Sequence, residues 1–203
     1  MMKLRRNDTL VLATKNTGKI AEFTELLKPY GFKILTLDDL NLPEPNEIGL
    51  TFKDNALLKA QSCAAAARLP ALADDSGLSV KALGGQPGIY TSRWAGPSKD
   101  YQHAMKKIND ELLAIDSHPD RRASFVCHIA LCFPGQPGCF SFEGRVDGEL
   151  VWPTRGHSNM GFDPIFMPEG YQKTFAEMLP EEKHTMSHRR QAFQKLIETC
   201  IEK

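Results

Sequence analysis

No stretch of the 203-residue chain approaches eighteen uninterrupted apolar residues, so the sequence predicts no transmembrane helix. The charged start, Met1 to Asp8, has no long apolar segment behind it, and no secretory signal is expected. Charge of one sign is also lacking. Lys plus Arg and Asp plus Glu both number 25, for a formal net charge of zero. Such a chain has no broad field for gripping a nucleic-acid backbone or an anionic membrane, so any bound anion must be met by a few local cations. Internal repeats and low-complexity segments are absent, as is the G-x4-G-K-[ST] phosphate loop. The five cysteines include no C-x2-C pair, which argues against zinc. They are expected as buried, reduced thiols in a reducing cytoplasm.

What remains is a globular composition, 41% hydrophobic and 25% charged, long enough for one substantial domain. Thr9 to Ala13 reads as a buried strand, Ile20 to Tyr30 as a helix stopped by Gly31, and Phe32 to Leu37 as a second strand. Thr51 caps a helix to about Arg68, with Asp54 in its first turn. Asn55 and Lys59, four apart on that helix, face one side. Ala71 to Ala73 is a short strand running into Asp74-Asp75-Ser76-Gly77, which places those acids at a strand end. Gly84 to Pro97 reads as irregular, and Asp100 to Ala114 as helical. Ser124 to Phe133 and Cys139 to Val146 are strands, and Asp147-Gly148 predicts a hairpin turn into Glu149 to Trp152. A strand at Pro164 to Met167 and a helix from about Ser187 close the chain. The expectation is an α/β domain with a mixed sheet, a single domain of two lobes over residues 1–203.

Three constellations carry chemistry. Thr14-Lys15-Asn16-Thr17-Gly18-Lys19 joins a buried strand to a helix start, where unpaired N–H groups and a lysine can hold phosphate oxygens. An ordinary strand–turn–helix junction has the same composition. The Asp74-Asp75 pair can hold Mg²⁺ and orient a water, with Glu47 as a further oxygen ligand, although a solvated turn is equally rich in Asp, Ser and Gly. Repulsion within the pair would raise one pKa towards a useful base. Met160-Gly161-Phe162-Asp163 sets an aromatic beside a carboxylate, suited to stacking on a base and contacting its edge. Lys183, His188 and Arg189 precede or open the last helix.

In this order the segments resemble the HAM1/RdgB-type inosine triphosphate pyrophosphatase family. The resemblance runs from Leu10 to about Leu196 and includes E-I-G-L-T-F-K-D-N-A-L-L-K-A, L-P-A-L-A-D-D-S-G-L, L-G-G-Q-P-G-I-Y-T-S-R-W, M-G-F-D-P-I-F and S-H-R-R-Q-A. It implies an elongated mixed sheet with flanking helices forming two lobes around a central cleft. It also implies hydrolysis of ITP, dITP and XTP to monophosphate and pyrophosphate, a Mg²⁺ cofactor, a homodimer and a cytoplasmic location. By motif, Asp75 becomes the general base and magnesium-site acid and Glu47 its metal partner. Thr14 to Lys19 and Ser76 take the phosphates, while Met160 to Asp163, Lys183, His188 and Arg189 surround base and sugar; on a neutral chain, Lys19 and Lys59 are also expected to neutralise phosphate oxygens. Met160 departs from the family, which usually has an aromatic there; its thioether can still contact a purine face. A non-enzymatic nucleotide-binding module, or a triphosphatase for pyrimidine or methylated nucleotides, would share part of this pattern.

Overall fold

The computed structural model describes residues 2–157 and 161–202. Six strands form one sheet in the order β2-β1-β3-β4-β5-β6, comprising Thr9–Leu12 (β1), Lys33–Thr36 (β2), Ala71–Val80 (β3), Arg122–Cys132 (β4), Cys139–Leu150 (β5) and Phe166–Pro168 (β6). β1 runs parallel to β2 and β3, whereas β5 and β6 are antiparallel, so the sheet is mixed as expected. The helices are Thr17–Leu27 (α1), Phe52–Ala67 (α2), Thr91–Trp94 (α3), Tyr101–Ile115 (α4), Pro180–Met186 (α5) and His188–Cys200 (α6). The chain divides into two compact units. The first is Met1–Asp75, Cys127–Gly144 and Arg189–Lys203; the second is Ser76–Val126 and Arg145–His188.

In the first unit, β1 is apolar on both faces because both are covered. Leu10 and Leu12 join a core with Phe23 and Leu27 of α1 and Ala192, Phe193 and Leu196 of α6. Val11 and Ala13 join another with Ala56, Ala60, Cys63 and Ala64 of α2. The small residues of α2 let that helix lie close to the sheet. Its start is fixed locally: the Thr51 hydroxyl accepts the Asp54 N–H at 3.1 Å, and the Asp54 carboxylate accepts the Thr51 N–H at 3.1 Å, a reciprocal capping box. Arg68 ends it in the left-handed region at φ 55°.

In the second unit, Leu78, Val80, Phe125, Val146 and Phe166 from the sheet pack against Ala104, Met105, Ile108 and Leu112 of α4. Their alternate neighbours, Ser79, Ser124, Arg145 and Asp147, line a polar cavity of about 880 Å³, as strand periodicity requires.

Several expectations are corrected. Asp74 and Asp75 do not end a strand. β3 continues through them for ten residues, and Gly77 serves close approach rather than a turn, since a Cβ there would lie 2.3 Å from Thr91 Oγ1. Asp147-Gly148 is likewise no hairpin turn: β5 runs straight through it, and Gly148 lies opposite Pro168 of β6. The segment 84–97 is less irregular than predicted, containing the 3₁₀ turn Gly88–Tyr90 and α3. The short helix α5 was not anticipated. Cys132 and Cys139 are not free thiols; β4 and β5 bring their Cα atoms within 4.5 Å and they form a disulfide, leaving Cys63, Cys127 and Cys200 free and buried. Met160 lies outside the described residues.

A Cβ on Gly148 would lie 2.3 Å from the Met167 carbonyl oxygen, backbone that cannot swing aside. Gly148→Ala is therefore expected to destabilise the protein by about 2 kcal/mol or more, read as the midpoint of urea unfolding. Gly138→Ala, where a Cβ meets nothing within 4 Å, should stay within about 0.5 kcal/mol of the parent. Equal midpoints for the two variants would remove the close-packing argument.

Candidate active site

The predicted phosphate segment forms the junction between β1 and α1. Asn16 is the N-cap of α1, its Oδ1 accepting the Lys19 N–H at 3.1 Å. The Thr14 hydroxyl accepts the Asn16 N–H at 3.1 Å. Thr17 and Gly18 stand at the exposed helix start, where backbone N–H groups favour anions. An anion of the protein's own already occupies part of this corner. Glu44 Oε1 accepts from the Thr14 hydroxyl at 3.3 Å and from the Lys15 N–H at 3.1 Å. The Lys15 ammonium turns to Asp38, 2.7 Å away.

Behind the junction lies a buried charge network. Asp74 is almost wholly buried, with its Oδ1 3.0 Å from Lys19 Nζ and its Oδ2 accepting from Arg189 Nε at 3.3 Å and Nη2 at 3.2 Å. Arg189 Nη1 donates to Glu22 Oε2 at 2.5 Å. Burial alone would push the Asp74 carboxyl up, but Lys19, Arg189 and Lys59 outweigh it and hold Asp74 well below the usual carboxylate range. The Arg189 guanidinium, desolvated but facing Asp74 and Glu22, is shifted above its ordinary value and stays charged.

Asp75, the next residue, points to the other side of β3 and has the opposite balance. Its Oδ2 accepts from Asn55 Nδ2 at 2.9 Å. Burial raises its pKa and the Glu47 charge adds to this; Lys59, Asn55 and Lys19 pull it back only partly, leaving it at about 6. The acid that opposes Asp75 is thus Glu47, not Asp74 as adjacency in sequence suggested, because strand alternation separates the pair and cations neutralise Asp74. Lys59 is also buried, and its Nζ donates to Glu47 Oε1 at 2.6 Å. Burial would lower the Lys59 pKa, but Asp74, Glu47 and Asp75 raise it above the ordinary value.

The first unit therefore gathers Thr14 to Lys19, Glu47, Lys59, Asp75 and Arg189. Glu22 and Glu44, which sequence reasoning gave no role, belong to the same cluster, as does Asn55, expected only to share a helix face with Lys59. Glu22 was detectable only as a residue three positions after Lys19 on one helix face. The other predicted residues lie in the second unit. Lys183 Nζ pairs with Asp163 Oδ2 and lies 5.5 Å from the Phe175 ring centroid. Phe162 is buried, edge-on to Tyr101 at 5.4 Å between centroids. Gly161 takes φ 59° just before it. His188 stacks on Phe125 at 5.1 Å. Ser76, half-buried in β3, is the first residue of this unit. The polar cavity of the second unit is lined by none of the predicted residues.

A pKa of about 6 at Asp75, against about 3.8 unfolded, makes the ionised side chain a destabilising group. Its favourable contribution is complete below the unfolded value and is lost as pH rises through about 6, a loss on the order of 3 kcal/mol. In metal-free protein, Asp75→Asn should therefore be more stable than the parent at pH 8, with the difference shrinking towards pH 4. Thermal unfolding across that range measures it; a pH-independent difference would contradict the burial argument.

The sequence model of the Ham1 family matches residues 10–199. A dITP/XTP pyrophosphatase of Caulobacter vibrioides is 53% identical over 187 residues, covering 92% of this chain and 95% of that protein. One of Bradyrhizobium sp. is 48% identical over 202 residues, covering 95% and 94%. Among solved structures, a HAM1 protein from Coxiella burnetii superposes with a TM-score of 0.87 at 40% identity, covering 93% of this chain and 95% of that one. The Ham1 protein of Staphylococcus aureus gives 0.83 at 36% identity, covering 93% and 95%. With a family match over almost its full length and the acids, cations and helix start in place, the chain belongs to the Ham1 family.

Proposed function

We infer that the protein hydrolyses the non-standard purine nucleoside triphosphates ITP, dITP and XTP, breaking the α–β anhydride bond to give the monophosphate and pyrophosphate. The observation that carries this reading is the inequality of two adjacent acids: Asp74 is held ionised by Lys19 and Arg189, while Asp75 is poised near 6. A general base works best when its pKa lies close to the working pH, so Asp75 takes the proton of the attacking water. Relatives named dITP/XTP pyrophosphatases, alike over nearly the whole chain, support the substrate class.

Glu47 and Asp75 suit Mg²⁺. That ion takes one or two carboxylates together with substrate phosphate oxygens, and the Glu47 charge already bears on Asp75. Among the described residues no group of three or more His, Cys, Asp or Glu gathers as a metal site, and an ion completed by phosphate and water needs none. When bound, Mg²⁺ supplies positive charge to the phosphate oxygens. The chain's own contributions are separate. Lys19 and Lys59 offset phosphate charge, the start of α1 and Ser76 donate hydrogen bonds, and Asp75 orients the water. Glu44 must release Thr14 and Lys15 for phosphate to use them. Met160, Gly161, Asp163, Lys183, His188 and Arg189 receive base and sugar; Phe162, expected to stack on the base, is buried edge-on to Tyr101 and supports the segment from the core instead. We take residues 1–203 as one pyrophosphatase domain that acts as a homodimer in the cytoplasm.

With ITP and Mg²⁺ the first products should be IMP and pyrophosphate, and a panel of ITP, XTP, dITP, ATP, GTP and dUTP should favour the first three. IDP with orthophosphate as initial products, or no turnover at all, would overturn the reading. Asp75→Asn should lose about 100-fold or more in kcat, with nucleotide binding better preserved. The parent's kcat should fall with acidity as Asp75 protonates.

Arg189 has only donors, which suit the 6-keto oxygen of inosine and not the amino group of adenosine. Arg189→Ala should therefore narrow the ITP-to-ATP ratio of kcat/KM, mainly by slowing ITP. Because its guanidinium also pairs with Asp74 and Glu22, the ratio, not the absolute rate, is the informative measurement. An unchanged ratio would assign Arg189 to the acid network alone.

A further inference from the structure

Glu47 is carried by residues 41–51, which contain little secondary structure and bury little apolar surface. Ile48 and Leu50 are 76% and 87% exposed. A ligand on such a segment is well placed only if polar contacts hold the backbone. One of those contacts comes from Asn55. This side chain is 1% exposed, in the first turns of α2, where asparagine is a mediocre helix former and a buried amide is costly unless both ends are bonded. Both ends are bonded. Oδ1 accepts the Gly49 N–H at 2.7 Å, and Nδ2 donates to Asp75 Oδ2 at 2.9 Å.

The chemistry fixes which end faces which partner: a backbone N–H can only donate, and an ionised carboxylate only accepts. No other side chain of this length offers a neutral acceptor and donor from one rigid plane. The fit also runs the other way. A Cβ on Gly49 would lie 2.8 Å from Asn55 Oδ1, 2.9 Å from its backbone N and 2.6 Å from Asp54 Cβ, so the segment reaches the amide only through glycine. Lys59, one turn along α2, grips Glu47 directly at 2.6 Å.

We propose that Asn55 is the positioning residue of the acid pair, its one amide fixing the Glu47-bearing segment through Gly49 and the Asp75 carboxylate at the same time. The proposal deepens the pyrophosphatase reading and rests on it for the consequence in turnover, but not for the contacts themselves. Glu47 and Asp75 come from segments separated by the whole of α2, and the amide gives them a common reference. Without it each acid keeps its chemistry but loses its place relative to the other.

The test separates the two ends of the amide. Asn55→Ala removes both contacts, whereas the nearly isosteric Asn55→Asp keeps an oxygen towards Gly49 and replaces the donor to Asp75 with a like charge. Amide hydrogen exchange of metal-free, ¹⁵N-labelled protein reads the first contact without substrate. In Asn55→Ala the Gly49 amide should exchange about tenfold faster or more, with the slowest amides of β1 unchanged. In Asn55→Asp it should remain protected. Mg²⁺ titration of the same samples should show weakened binding in Asn55→Ala. In turnover, both variants should lose about 10- to 100-fold in kcat with nucleotide KM within about threefold. Parent-like Gly49 exchange in Asn55→Ala overturns the link to the Glu47 segment, and parent-like kcat in Asn55→Asp overturns the link to Asp75. Should Asn55→Ala fail to fold, Gly49→Ala breaks the first contact from the other side, and parent-like Mg²⁺ affinity there counts against the proposal. If the parent itself releases no pyrophosphate, the functional reading fails while the exchange and Mg²⁺ results still decide the role of Asn55.

Discussion

The burial of Asp74 as a charged group is the constraint around which the first unit is arranged. An ionised carboxylate removed from water is tolerable only when paired and hydrogen-bonded, and two helices supply the partners. Lys19 comes from α1, Arg189 from the start of α6, and Glu22 on α1 takes up the remaining charge of Arg189. Cys127, buried in β4, places its sulfur 3.9 Å from Asp74 Oδ2 and is itself held firmly protonated, by burial above all and by Asp74 next. These pairs set α1 against the strand that carries the acids.

Asp75 shares the backbone of Asp74 but not its surroundings. Strand alternation turns it towards Asn55, Lys59 and Glu47, where positive charge does not fully offset burial and a second acid. One dipeptide thus provides a fixed anion that organises structure and an adjustable one suited to proton transfer. Burial and the Glu47 charge, which the cations near Asp75 offset only in part, make the difference. Lys59, tied to Glu47, and Lys19, paired with Asp74, act on both sides: each lowers the pKa of both aspartates.

What could be read from the chain follows the range of the forces involved. The Thr51 cap with Asp54 in the first turn of α2 and the buried apolar run of β1 are local, and they stand as the residue types dictate, whereas α1 begins at Thr17, a turn before the expected Ile20. The family motifs picked out the acids and the β1–α1 junction, which the structure gathers in one unit. Asp147-Gly148 misled because its turn propensity is local, whereas the pairing that overrides it comes from Phe166–Pro168 of β6. Asp74-Asp75-Ser76-Gly77 misled similarly: turn-forming residues were drawn into a long strand whose neighbours lie far along the chain. The Arg189–Glu22 pair spans 167 positions and has no sequence signature. The identity of the acid opposing Asp75 depends on which way successive side chains point, which the motif alone does not state.

The Cys132–Cys139 bond bears on a different state of the molecule. With a sequence separation of only seven, it closes a small ring at the β4–β5 connection, where the native strands already bring the two residues together. Its effect lies largely in the denatured ensemble, which loses the freedom to open that ring; chain-entropy arguments put this at about 2–3 kcal/mol. An unfolded but oxidised chain keeps these strand ends side by side, so refolding need not search for that closure. Reduction would leave the native contacts of Cys132 in place and restore the search, making the ease of refolding, more than the shape of the folded protein, sensitive to the thiol balance around it.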